Sequence, residues 1–369
     1  MTTPAPLPLP HQSRADPVTL SETDLTEIAG FIAAQSGRIP EWVESHLRWF
    51  LLENPARSPE YPLGFGLRSA GQLVGCILIS PQWFRVGADK ILFMGSSSFY
   101  VDEHYRGQGG RIFLQYCRLG KQWPLFGTSA NAEAAALWKA AGASPIPYSD
   151  EELFGVLYWP PVAEEFVHRR YSNRLLTYAA GTSISNLAAL LRPLKIDSAA
   201  PDALRPLSSA EQVNDLSQVN DLSIHDSSEK LTASRDVSYI HWRYFSGRDS
   251  SVVAFAFRTR QPDREVLVTV NQRTRGYRGQ IKTLNVLDVC PEVSVNDWLR
   301  IVGALTARYR KIVDAVVLRS LNPDQQKAFA EIGFQRRAFA APNGWFFDKN
   351  KLLPARDWYP VPADGDGLI

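Results

Sequence analysis

The chain has 369 residues, 45% of them hydrophobic, with 10 Trp, 13 Tyr and 18 Phe, which is enough apolar material for two packed domains. Its 40 basic and 38 acidic residues leave a net charge of +2, so no bulk field favours nucleic acid or an anionic membrane surface. Cys76, Cys117 and Cys290 are far apart and show neither CxxC nor metal-ligand spacing, which implies no bound metal and a reduced, cytoplasmic setting.

Residues 1–16 open with a proline-rich stretch, Met1 to His11, without an apolar core of signal length, and read as a disordered leader. No later run approaches the roughly 20 apolar residues of a membrane span, so no membrane insertion is expected. Pro17–Leu20 predicts a strand, and Ser21 caps a helix to about Ala34. Ile39-Pro40-Glu41 opens another helix, with Trp42, Val43, Leu47, Phe50 and Leu51 at helical spacing. Residues 61–68, 73–80 and 91–101 then read as strands.

The third of these strands leads into Val101-Asp102-Glu103-His104-Tyr105-Arg106-Gly107-Gln108-Gly109-Gly110-Arg111, and the chain leaves as the apolar helix beginning at Ile112. Such a strand, glycine turn and helix is an anion site in outline. Glycines let backbone N–H groups crowd a phosphate, the helix points its positive end at the same spot, and Arg106 and Arg111 flank it. A glycine turn between strand and helix is also often only a turn. The GxGxxG spacing of a dinucleotide fold and the Gly-Lys-Ser/Thr of a Walker loop are both absent. Residues 123–128 predict a short strand, and Ser129-Ala130-Asn131 caps a helix over 132–141 that Gly142 ends.

This arrangement resembles the GNAT superfamily of acyl-CoA-dependent N-acyltransferases. Arg106-Gly107-Gln108-Gly109-Gly110 matches its Q/R-x-x-G-x-G/A pyrophosphate loop up to the last place, where Arg111 either crowds the helix start or contacts a phosphate. Asn131 with Leu137-Trp138-Lys139-Ala140-Ala141-Gly142-Ala143 is similar to its later Asn…Leu-Tyr-x-x-x-Gly-Phe segment. The resemblance implies acyl-CoA held by Arg106, Gly107, Gln108, Gly109, Gly110, Arg111 and Asn131, with backbone groups at Phe99, Tyr100 and Val101 on the thioester carbonyl. Trp138 stands where many members have a Tyr that protonates the leaving thiolate, which an indole cannot do, and Gly95 falls about where some carry a general-base Glu.

Beyond Gly142, residues 153–159 predict the last strand of a first domain spanning 17–160, ended by Pro160-Pro161. Residues 161–198 connect the halves as mixed helix and turn, with His168-Arg169-Arg170 as a solvated face or a phosphate contact. A region rich in Ala, Ser, Pro and Asp follows, with the hexapeptide Gln212-Val-Asn-Asp-Leu-Ser217 repeated at once as 218–223, too short for a solenoid. Residues 199–369 then repeat the domain pattern. Tyr239-Ile-His-Trp-Arg-Tyr-Phe245 echoes His46-Leu-Arg-Trp-Phe-Leu-Leu52, and strands over 252–258, 265–272 and 279–289, a helix over 295–309, a strand over 315–319 and a helix from Pro323 to Gly333 follow. The expected fold class is thus α/β (α+β): two tandem GNAT-like domains, each a mixed, mostly antiparallel sheet flanked by helices. In the second, Asp288-Val-Cys-Pro-Glu-Val-Ser-Val-Asn-Asp297 replaces the glycine turn with three acids that repel a pyrophosphate, so this degenerate copy is acceptor-side or structural. The tail around Asp357-Trp358 and Asp364-Gly365-Asp366 resembles endings of tandem relatives associated with polysaccharide or glycoconjugate synthesis, or is an edge strand and a solvated turn.

The implied reaction is acyl transfer from acetyl-CoA or another acyl-CoA to the amine of a small acceptor, an amino sugar by resemblance. Proximity alone supplies roughly 7 to 11 kcal/mol of such a barrier, so weak acid/base groups suffice. Ser97 on the strand, Glu103 and His104 at the loop mouth, and Tyr148 are the candidates for catalysis, each also readable as an ordinary structural residue. Cys117 reads as buried packing. A Fem-type aminoacyl transferase and a non-catalytic CoA-binding protein are the alternatives, and a homodimer is compatible with either.

Overall fold

A computed structural model of the chain describes residues 14–87, 89–171, 194, 203–209, 211–213, 231–246, 251–260, 263–276, 279–319 and 321–349. The leader, most of the connecting segment, the second copy of the hexapeptide and the acidic tail lie outside these. In chain order the first half builds β1 (Asp16–Leu20), α1 (Leu25–Ser36), α2 (Pro40–Leu47), β2 (Gly64–Ser69), β3 (Gln72–Val86), β4 (Asp89–Val101), α3 (Gly109–Arg118), β5 (Leu125–Gly127), α4 (Ala132–Ala140), β6 (Ser144–Pro145), β7 (Glu151–Val156) and α5 (Trp159–Tyr171). The second half builds β8 (Leu204–Leu207), β9 (Leu231–Ala233), α6 (Val237–Ile240), β10 (Val252–Arg258), β11 (Glu265–Arg275), β12 (Ile281–Cys290), α7 (Val295–Tyr309), β13 (Ala315–Arg319), α8 (Pro323–Glu331), β14 (Gln335–Ala338) and β15 (Trp345–Phe347).

These strands form two sheets, ordered β1-β2-β3-β4-β5-β15-β6, with β9 beside β3, and β14-β7-β13-β12-β11-β10-β8. Each is antiparallel except at one junction, β4 with β5 and β12 with β13. Two mixed, mostly antiparallel sheets flanked by helices are the architecture the sequence implies.

Several details differ from expectation. The second of the three strands does not stop at Ser80 but runs on through Pro81, which lies opposite Met94. Its missing N–H costs little because Pro81 faces the gap between β2 and β9, where its carbonyl accepts from Asn54 Nδ2 at 3.0 Å. The stretch at 153–159 does not close the first sheet. It forms β7, which lies between β13 and β14 of the second, pairing Arg319 with Glu152 and Gln335 with Phe154. Conversely β15, which the sequence did not reveal, lies between β5 and β6 of the first. Each half thus lends the other one strand. Gly155 permits the exchange, because a Cβ there would lie 2.5 Å from the Phe334 ring of the other half. Pro160-Pro161 do end β7, and they stand in the opening turn of α5.

The echoed aromatic segments meet. Each ends in a turn of π-helix, Arg48–Leu52 and His241–Phe245. Trp49 Nε1 donates to the Trp242 carbonyl and Trp242 Nε1 to the Trp49 carbonyl, both at 2.9 Å. Both indoles are buried in one core shared by Leu25, Ile28 and Leu47 with Tyr239, Ala256 and Leu267, so the halves have no solvent between them there.

The borrowed strand β7 is also held by charge. Glu152 is buried, receiving hydrogen bonds from Arg275 and Arg319 with Arg337 beside it. Burial alone would raise the Glu152 carboxyl, but the three guanidinium groups outweigh it and hold the pKa below the ordinary 4.5. A depressed carboxylate stabilises the fold fully above the unfolded-state pKa and loses that stabilisation as pH falls through the folded value. Unfolding free energy is therefore expected to decline below about pH 4.5, with a shallower decline in Glu152→Gln, as urea titrations at pH 3 to 7 would measure.

Candidate functional site

The first half's parallel junction is short. Only Met94 with Leu125 and Gly95 with Phe126 pair, after which β5 ends at Gly127 while β4 continues to Val101. From Ser96 onward the edge of β4 facing β5 has no strand partner, which leaves backbone hydrogen-bonding groups directed into the parting. Tyr116 of α3 pins its apex. Its buried hydroxyl donates to the Met94 carbonyl at 2.6 Å, with the Phe126 carbonyl a second acceptor at 3.1 Å. Burial holds the phenol well above its ordinary pKa of 10.0, so it stays neutral. Removing this hydroxyl in Tyr116→Phe leaves two buried carbonyls short of a donor and is expected to cost about 1 to 3 kcal/mol in chemical denaturation.

Just past the apex β4 carries a bulge. Cys76 pairs with Tyr100 but Leu78 with Ser97, so Ser98 and Phe99 together oppose Ile77. Ser98 is left-handed, with φ of 49°. The simple alternation of Ser96, Ser97 and Ser98 is therefore broken, and Phe99, Tyr100 and Val101 stand half-buried beyond the kink.

The glycine segment follows as a single 3-10 turn, Glu103–Gln108, running straight into α3. Asp102 caps it by accepting from His104 N–H at 2.9 Å. Gly107, Gly109 and Gly110 all avoid the left-handed region, so their role is space rather than backbone freedom. At Gly109 a Cβ would lie 3.2 Å from Val101 and 3.5 Å from Phe99, whereas Gly107 opens onto solvent. Arg106 is exposed and, among the described residues, has no ion pair. Arg111 turns the other way: its guanidinium donates to the Ala15 carbonyl and to Gln108 Oε1, which in turn accepts from Ala15 N–H at 3.0 Å. Arg111 and Gln108 tie down the start of β1.

Of the remaining candidates, Ser97 is buried with its hydroxyl 3.2 Å from that of Ser98, away from any acid or base. Glu103 and His104 are exposed and 3.6 Å apart at the loop mouth. Asn131 caps α4, accepting from Ala134 N–H at 2.8 Å. Tyr148 has φ of 59° in the turn between β6 and β7, where the chain crosses from one sheet to the other. Trp138 is buried edge-on against Phe113 and Tyr116 and packs the core behind the parting. Cys117, as expected, is packing: burial pushes its thiol up to about 11. The structure therefore gathers residues 96–110 around one parting and leaves Asn131 and Tyr148 on neighbouring turns. Tyr116 was missed; its only signal was a polar atom in a helix otherwise read as apolar.

In the second half the corresponding acids are already engaged. Asp288 is buried, accepting from Arg235 Nε at 2.6 Å and from the Tyr244 hydroxyl at 2.7 Å. The N-terminus of α7 is capped by Ser294, which accepts from Asp297 N–H at 3.1 Å, and Asp297 itself accepts from Arg300. Among the described residues no cluster of His, Cys, Asp or Glu has the makings of a metal site, and no helix is long and apolar enough to cross a membrane.

No protein-family model matches the chain, and no curated protein matches it in sequence. Solved structures do match in shape. Saccharomyces cerevisiae N-myristoyltransferase with bound myristoyl-CoA aligns over 94% of this chain and 80% of its own, with a TM-score of 0.53 at 11% identity. A probable N-acyltransferase from Enterococcus faecalis V583 aligns over 90% of this chain and 72% of its own, with a TM-score of 0.54 at 10% identity. A GCN5-related N-acetyltransferase from Anabaena variabilis ATCC 29413 gives the same coverages with a TM-score of 0.53 at 12% identity.

Proposed function

The chain has the fold of the GCN5-related N-acyltransferases, and we propose that it moves an acyl group from acyl-CoA to an amine. The observation that carries this reading is the asymmetry of the two junctions: the first half has an unpaired, bulged β4 edge capped by a glycine turn and an uncommitted Arg106, while the second half fills the same place with paired acids. In this reading Arg106 and the amides of residues 107–110 hold the pyrophosphate of the donor. Backbone N–H groups of Phe99 to Val101 polarise the thioester carbonyl as oxyanion donors. The second half frames the acceptor.

No strong base faces the parting among the described residues, so the rate enhancement is assigned chiefly to proximity and backbone polarisation. His104 is the proton carrier nearest the mouth, and a small amine, an amino sugar or its nucleotide conjugate among them, is the acceptor class. The burial of Trp138, where a leaving-group acid is missing, favours as a second reading a protein that binds acyl-CoA without turnover. Calorimetric titration with acetyl-CoA and myristoyl-CoA, followed by a turnover assay across a panel of amines, tests both. Binding with turnover supports transfer, binding without turnover supports the second reading, and no binding to either thioester refutes both.

A further inference from the structure

A second concentration of charge surrounds Glu152 on the borrowed strand. Strand register puts Arg319 of β13 on one side and Arg337 of β14 on the other, and Arg275 of β11 reaches in from across the sheet. Arg275 Nη1 donates at 2.9 and 3.1 Å, Arg319 Nε and Nη2 donate at 3.0 and 2.9 Å, and Arg337 Nη1 stands 3.2 Å away. Glu151 next door is matched by Arg336, so it does not offset the group. Three guanidinium groups around one carboxylate leave two positive charges in excess.

One forked arginine would satisfy a buried carboxylate; the others add repulsion unless they serve something else. The carboxylate is 1% exposed, but Arg319 and Arg337 are 34% and 43% exposed, so the excess charge faces outward. Arg319 spends its Nε and Nη2 edge on Glu152, and its Nη1 has no hydrogen bond among the described residues. Its guanidinium is also 5.5 Å from the Phe339 ring, which orients it. The cluster lies past the last β12 to β13 pair, Asn285 with Val317, over the second half's own parting. It is tied to the end of β5 through Ala130 N–H to the Asn343 carbonyl and Asn343 N–H to the Ser149 carbonyl.

We propose that this arginine cluster binds an anionic group, phosphate or carboxylate, carried by the amine acceptor. Glu152 then acts as the positioning residue that holds the guanidinium groups in a fixed fan. The proposal rests on the acyl-transfer reading for the identity of its ligand, while the site itself is tested independently of acyl-CoA.

Inorganic phosphate and succinate would be titrated calorimetrically into the full chain, with and without saturating CoA to occupy the glycine turn. Phosphate or succinate is expected to bind with Kd of about 1 mM or tighter in the presence of CoA, the preferred anion naming the acceptor's group. Arg319→Gln is expected to weaken this roughly tenfold and Glu152→Gln to tighten it several-fold, because removing the competing carboxylate frees donors and raises local charge. A purely structural role would not produce a gain. Arg106→Ala in the glycine turn is expected to leave it unchanged. Absence of anion binding, or wild-type affinity in both Arg319→Gln and Glu152→Gln, overturns the site. Arginine-dependent anion binding in a chain that takes no CoA would instead refute the acyl-CoA reading and, with it, the assignment to an acceptor.

Discussion

Gly109→Glu is expected to reduce acyl-CoA affinity at least 100-fold, a loss of about 2.7 kcal/mol. Two effects add. Gly109 is buried at the start of α3, and even a Cβ there would press on Val101 at 3.2 Å and Phe99 at 3.5 Å, displacing the strand end that faces the parting. The carboxylate would also sit where the donor's phosphates are proposed to lie, and like charges about 4 Å apart near a protein surface repel by roughly 1 to 4 kcal/mol. Gly107→Ala is the matched control, since its Cβ meets nothing within 4 Å. Calorimetry on both variants, with thermal melts to confirm folding, decides the matter: a folded Gly109→Glu protein that binds like wild type would remove the glycine turn from the site.

Trp49→Ala is expected to destabilise the protein by about 3 to 5 kcal/mol, the range for truncating a fully buried aromatic side chain. The indole is 1% exposed and packs against Phe50, Trp242 and His46. Its loss also leaves the buried Trp242 carbonyl without its donor. Trp242→Ala should behave alike because the bonds are reciprocal. Since each removes the other's partner, the double variant is expected to fall short of additivity by about 1 to 3 kcal/mol. Equilibrium unfolding in urea reports this directly. Additivity within about 0.5 kcal/mol, or two separate transitions in the wild type, would mean that the halves do not unfold as one unit.

Much of the local structure was legible because it depends on near neighbours. Period-two hydrophobicity marked β2, β10 and β12, period-three-to-four marked α2 and α7, and Asn131 and Ser294 stand at helix starts as cap residues should. The glycine turn between β4 and α3 was legible for the same reason, and so was the internal repeat, whose two aromatic segments turned out to be the pair that meets at the interface.

What stayed hidden were choices between partners. Nothing within residues 151–156 says which sheet they join, since either edge offers the same backbone donors and acceptors. The decision comes from Gly155 fitting under Phe334 and from Glu152 finding Arg275, Arg319 and Arg337, all distant in the chain. The bulge at Ser98 is likewise a property of β3 and β4 together, not of either strand. Arg111 looked like a phosphate ligand by spacing, but the structure spends it on Ala15. By itself the sequence determined the elements, the repeat and the half that carries the glycine turn, because those follow from backbone propensity and local pattern. The strand exchange, the pinned parting under Tyr116 and the arginine fan around Glu152 were decided only by tertiary structure, because each needs groups that the chain brings together from a hundred or more residues apart or from opposite sides of a strand pair.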